Sequence, residues 1–300
     1  MFGTYRFVLA SLVALSHYGM NYAGFNPGQW AVISFYTLSG LLMERQHSKL
    51  GAANFYLDRL LRIYPIYIAV LWLAWLGHRI TWPATLANLA LLPMNYTDFF
   101  PIPTLILNSW SLACEVHFYL LVPLLVLCST QILRWIASLS LLLFLISPLL
   151  PHSAFWAYGG LPGILFTFMS GMLINRKDFS FIKKLWVTTT FFLALFCLSK
   201  WFYYSPPCGI NINICIGYLI ATVAIPWLDR FSFKARWDRI AGLFSFPLFL
   251  CNQLIPQYAQ HYFPAPNPLV LLAWAIGFSS ILIFAIEIPF DWLRHKLRKN

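Results

Sequence analysis

Charge is what this sequence has least of. Lys, Arg, Asp and Glu make up 10% of its 300 residues, and only 9 are acidic; soluble globular domains carry about 25% charged residues. That shortage excludes a cytosolic enzyme and a disordered tail. No stretch is polar enough to form an appended soluble domain. Cysteine pairing is missing as well. Cys114, Cys128, Cys197, Cys208, Cys215 and Cys251 form no Cys-x-x-Cys pair and mostly lie inside apolar runs. They read as small buried thiols, not as a disulfide scaffold or metal site. What the chain has instead is apolar bulk: 60% hydrophobic, 18% aromatic, with a mean hydropathy of +0.70. Residues 1–300 read as a single membrane domain. Arg6 before an apolar stretch mimics a signal peptide, but no small-residue cleavage site follows, so a retained helix is expected.

A spanning helix needs about 20 mostly apolar residues. On that measure the sequence predicts an all-α, polytopic membrane protein with about ten transmembrane helices, at 5–22, 28–44, 64–80, 109–128, 131–150, 158–175, 185–201, 210–228, 243–260 and 268–290. The apolar stretch 84–94 is too short to span and reads as a re-entrant or interfacial piece. A net charge of +11 can signal nucleic acid, but in a membrane chain cationic loops report topology. With both termini cytoplasmic, only Arg79 and Lys200 fall in outer segments. The other Lys and Arg residues, Lys234, Arg298 and Lys299 among them, fall inside. Cytoplasmic segments are expected at 45–63, 176–184 and 229–242. Outer segments 95–108 and 261–268 are rich in Pro, Asn and aromatics.

Ionisable groups within such spans are expensive and point to function by default. Arg6 and His17 are eleven residues apart. At about 100° and 1.5 Å per residue they return to within about 20° of one azimuth, about 16 Å apart. Ser16 and Tyr18 flank His17. The histidine either does chemistry or is satisfied by a neighbouring helix. Glu115, in Asn108-Ser109-Trp110-Ser111-Leu112-Ala113-Cys114-Glu115-Val116-His117-Phe118-Tyr119, shares a helix face with Ser111. By the topology it lies in the same outer half as His17. A carboxylate orienting a histidine makes a general base near neutral pH; a capping or packing role is the other reading. On the inner side, Phe55 through Pro65 reads as a short amphipathic surface helix, with Asp58 four residues before Arg62. Arg59 and Arg62 suit phosphate groups or anionic lipid headgroups.

Taken in order, these residues resemble the integral-membrane acyltransferase-3 family, which O-acylates bacterial cell-surface glycans and has eukaryotic relatives. Arg6 and His17 resemble its Arg-x10-His. Phe35-Tyr36-Thr37-Leu38-Ser39-Gly40-Leu41-Leu42 resembles FFxLSGFL. Arg59-x-x-Arg62-Ile63-Tyr64-Pro65 with Tyr67 resembles RxxRIxPxY. Trp110-Ser111-Leu112-x-x-Glu115-x-x-Phe118-Tyr119 resembles WSLxxExxFY, and Glu287-Ile288-Pro289-Phe290 fits the last helix. In the segment resembling SYxxYLxH, Asn252 stands where the family usually has histidine. That removes a base from the position and leaves an amide able to donate and accept a hydrogen bond. The hydrolase-like outer domain of some relatives is not seen, so transfer is expected to be completed alone or with a partner.

The resemblance implies an acetyl or short-acyl transfer from cytoplasmic acyl-CoA, as co-substrate, to a hydroxyl of a cell-surface or lipid-linked glycan. It implies no permanently bound cofactor, no metal and no nucleic acid, and membrane lipids as surroundings in a bacterial cytoplasmic (inner) membrane. Arg59, Arg62 and Arg45 would hold the donor's phosphates, and its thin arm would pass Ser39 and Gly40. Arg6 stands at the mouth of that route. His17 would deprotonate the acceptor or carry the acyl group, with Glu115 orienting it. Trp110, Ser111, Tyr119 and Asn252 would line the acceptor side, and Tyr96, Phe99, Phe100, Trp156 and Tyr158 could stack on sugars. Two other classes compete. A transporter or lipid-linked sugar flippase would use the helix breakers Pro123, Pro162-Gly163, Pro226, Pro247 and Pro256, although Glu115 and Glu287 are the main acids available for coupling. A non-catalytic scaffold of glycan assembly would not need Arg6 and His17 aligned.

Overall fold

The computed structural model describes every residue except 77–79, 204–205, 232–235, 260–265 and 298–300. Arg79, Lys234, Arg298 and Lys299 of the topology reading, and most of the outer segment 261–268, lie outside the described residues. The described residues are helical, and no strand occurs among them. The helices are α1 (Phe2–His17), α2 (Pro27–Leu76), α3 (Trp82–Ala90), α4 (Ser109–Leu127), α5 (Thr130–Ile146), α6 (Leu161–Asn175), α7 (Phe179–Tyr203), α8 (Pro206–Arg230), α9 (Arg236–Cys251), α10 (Leu254–Ala259), α11 (Pro268–Leu282) and α12 (Ile288–Leu297).

Among the described residues seven helices are long and apolar enough to cross a bilayer. The difference from ten has three local causes. Helix α1 has 16 residues and stops at His17. Helix α9 stops at Cys251, and a separate short helix follows. The spans placed at 28–44 and 64–80 lie on the two helical stretches of α2 that meet at a kink at Gly51, and so count once. Gly51 has φ +70° and ψ 171°, a backbone that glycine adopts at no steric cost. The segment 45–63 is therefore helix on both sides of one break. Lipid contact shows in what is left uncovered: Leu127 is 82%, Trp201 85% and Phe284 73% exposed. Soluble monomers rarely leave large apolar surfaces so open.

Two compact units divide the chain, one of residues 1–20, 50–112 and 231–300, the other of 21–49 and 113–230. In the first, α1 lies along α9 at backbone distance. A Cβ on Gly3 would stand 1.8 Å from the Asp238 carbonyl oxygen, and Phe7 meets Phe244 edge to face at 6.1 Å. The same helix end supplies what α1 lacks. Its first-turn N–H groups have no intrahelical acceptor, and Met1 offers no side-chain cap. Asp238 accepts from the N–H of Gly3 (3.2 Å), the N–H of Thr4 (2.8 Å) and the Thr4 hydroxyl (2.9 Å), and pairs with the Met1 ammonium at 3.0 Å. Burial works against its charge, but the Thr4 and Gly3 donors and the ammonium outweigh that and bring its pKa to about 2 from 3.8.

A depressed carboxylate stabilises the fold fully above its unfolded value and loses that contribution as pH falls through the folded one. Asp238→Asn is thus expected to lower the unfolding midpoint at pH 7, with the gap to wild type closing between about pH 4 and pH 2. Thermal unfolding in detergent across that range checks it; a gap that does not narrow contradicts it.

In the second unit α2 and α6 cross with their backbones in contact. A Cβ on Gly40 would stand 1.9 Å from the Phe168 carbonyl oxygen, and one on Gly171 would stand 2.0 Å from that of Thr37. Small residues at helix crossings are the usual packing device where lipid replaces water. Tyr36, Phe168 and Phe118 stack beside this crossing at 4.6 and 4.2 Å between ring centroids.

Candidate active site

In the first unit, His17 closes α1, and its imidazole is exposed. Its Nδ1 lies 2.9 Å from Oδ1 of Asn252, a residue 235 positions away that is fully buried. Asn252 follows the last residue of α9. Pro256, four residues on, has no N–H to offer the Asn252 carbonyl; the Tyr18 hydroxyl donates to it instead, at 2.9 Å. The Asn252 side-chain Nδ2 turns back to the Phe249 carbonyl at 2.8 Å. Asn108, just before α4, donates from Nδ2 to that same carbonyl at 3.0 Å and to Oδ1 of Asn252 at 3.2 Å. Three helix ends thus converge on one polar knot with a histidine at its edge.

The structure keeps Arg6 and His17 on one unbroken helix, as their spacing predicts. The Arg6 Nε donates to the Phe2 carbonyl at 3.3 Å, and its guanidinium reaches the α9 backbone at Gly242. Glu115 falls in the other unit, where the Tyr119 hydroxyl donates to it. The group that hydrogen-bonds the imidazole is Asn252. Within this unit the packing of α1 along α9 brings that amide to the imidazole. Ser111 is buried and donates to the Asn108 carbonyl at 2.9 Å. Trp110 is half-buried, and its carbonyl accepts from Asn95 at 3.2 Å. Tyr96, Phe99 and Phe100 are exposed; Trp156 and Tyr158 are half-buried in the second unit.

Arg59 and Arg62 lie in a helical segment of α2 whose Tyr56, Leu57 and Leu60 are exposed. Asp58 is fully buried, as are Glu287 and Arg294 to within 5%. Arg59 bonds to Asp58, and Arg62 bonds to Glu287. Arg294 reaches Asp58 at 3.2 Å and Asp291 at 3.1 Å. Three guanidinium groups meet three carboxylates. A cationic stripe read from local sequence becomes a charge-balanced cluster, because the far end of the chain adds Glu287 and Asp291 with Arg294 to the local Asp58. The widened π turn at Ile283–Glu287 before α12 carries one of them.

Arg45, in the second unit, is held bidentately by Asp229 at 2.8 Å on both arms, with Nε on Asn175 at 2.6 Å. Arg176 bonds to Glu44 at 2.6 Å beside it. Arg45 thus ties α2 to α6 and α8 while its side chain stays 37% exposed. The close approach that Gly40 permits is taken by α6. Ser39 is buried, and its hydroxyl has no hydrogen-bond partner among the described residues. No group of three metal-binding side chains occurs among the described residues.

Sequence reading missed Asn108 and Tyr18 as members of the site. An asparagine before a helix reads as a cap, and nothing local pairs it with a second asparagine 144 residues later. The family model for the acyltransferase-3 group, described as an acyltransferase domain, matches residues 4–288. No curated protein and no solved structure matches the chain.

Proposed function

From the premise that this chain belongs to the acyltransferase-3 family and is a membrane acyltransferase, we propose that it moves an acetyl or other short acyl group from acyl-CoA to a hydroxyl of a cell-surface or lipid-linked glycan. The observation that supports this reading is His17, exposed at the end of α1 with Nδ1 held by Asn252; the other ring nitrogen is assigned to the substrate. His17 takes the acceptor's hydroxyl proton as the oxygen attacks the thioester carbonyl. The tetrahedral adduct then breaks its C–S bond, and the imidazolium returns the proton to the leaving CoA thiolate. Ester and thiol are the products. A positioned base contributes about 10²–10⁴-fold to such a step. Holding donor and acceptor together contributes about 7–11 kcal/mol more.

The donor's phosphates are assigned to Arg59 and Arg62, where an anion competes with Asp58 and Glu287 for the same guanidinium forks. The charge asymmetry between segments supports ten spans with both termini in the cytoplasm, and residence in a bacterial inner membrane follows from the family resemblance. The experiment is mass spectrometry of the surface polysaccharide from cells with and without the protein. A base-labile acyl ester present only with the protein is expected. Identical polysaccharides, with a solute moved across the membrane instead, favour the transporter reading.

A further inference from the structure

We infer that Asn252 and Asn108 are positioning residues that fix the tautomer of His17, keeping the proton on Nδ1 and the basic lone pair on Nε2. This rests on His17 being the base and adds how the base is set.

One group in this knot can only accept. The Phe249 carbonyl faces two side-chain amides, Nδ2 of Asn252 at 2.8 Å and Nδ2 of Asn108 at 3.0 Å. A carbonyl oxygen has no proton to give, so each amide must turn its NH2 toward it. That fixes both asparagines. The second N–H of Asn108 is then aimed at Asn252, whose oxygen accepts it at 3.2 Å. Reversing the Asn252 amide would set oxygen against the Phe249 oxygen and NH2 against the Asn108 NH2. Both contacts repel, and in a fully buried side chain no water repairs them. The atom presented to His17 is therefore Oδ1, at 2.9 Å. An amide oxygen accepts only. The facing Nδ1 must donate, and a neutral imidazole with its proton on Nδ1 carries its lone pair on Nε2.

The arrangement explains why an amide serves where the resembling family segment has histidine. The position needs an acceptor of fixed direction, not a titrating group. It also reassigns Asn252 from lining the acceptor side to standing behind the base.

The test uses the full-length protein in lipid nanodiscs with 15N-labelled histidine, His17 being assigned by its loss in His17→Gln. The ring signals are expected to show a protonated Nδ1 and an unprotonated Nε2. A protonated Nε2 overturns the inference. Asn252→Leu removes the acceptor and is expected to release the tautomer and to lower kcat by more than about tenfold, within the 10²–10⁴-fold span of base catalysis, with KM little changed. Asn252→Leu with unchanged kcat and tautomer also overturns it. Should Asn252→Leu fail to fold, the wild-type spectrum decides alone. If His17→Ala keeps full transfer, the base reading fails; if it is inactive while wild type shows protonated Nε2, only this inference fails.

Discussion

His17→Gln is expected to lower the rate constant for acyl transfer by about 10²–10⁴-fold while leaving the protein folded. The size follows from what the residue does. A general base acts on one proton in the transition state, and at about 1.36 kcal/mol per decade its loss raises the barrier by about 2.7–5.4 kcal/mol. Folding is spared because His17 is exposed at the end of α1 and, among the described residues, its ring bonds only to the Asn252 side chain. Asn252 keeps its bonds to Asn108 and Phe249. Steady-state kinetics in detergent, with a thermal unfolding curve beside them, read both halves. A variant with wild-type kcat removes His17 from the chemistry.

Glu287→Ala is expected to act first on the fold. Its carboxylate is buried against Arg62, with Arg294 at 4.0 Å. Removing one partner of a buried pair strands a charge in a low dielectric, which costs about 3–5 kcal/mol. The unfolding midpoint of Glu287→Ala therefore drops sharply. Adding Arg62→Ala to it is expected to restore part of the loss, because the stranded cation goes too. An unchanged midpoint would mean that the cluster is solvated. Arg59→Ala separates the cluster's two roles. A raised KM for acyl-CoA places donor phosphate on that arginine, and an equal KM leaves it to Asp58 alone.

The pattern of what the sequence disclosed is physical. Helices were legible because apolar runs in lipid leave the backbone little choice but to bond within itself. Arg6 and His17 were legible as a pair because one helix carries both, and helical spacing is local. The partners of these residues were not. Asn252 lies 235 positions from His17, and Glu287 lies 225 positions from Arg62. A run such as Asp58-Arg59-Leu60-Leu61-Arg62 looks solvated until a second chain segment supplies matching acids. Within 45–63 the local sequence shows the charges but not the distant acids that pair with them. Gly40 shows the same limit. Its smallness was visible, but whether a substrate arm or another helix would use the space depended on Gly171, 131 residues on in α6.

The account stands most directly on one assay, in which membranes holding the wild-type protein receive acetyl-CoA labelled in its acetyl group together with a glycan acceptor. The expected result is label appearing in the glycan as an ester cleaved by mild base, and failing to appear when His17→Ala replaces the wild type. Label that stays on CoA in both, or an ester that forms equally with His17→Ala, contradicts it.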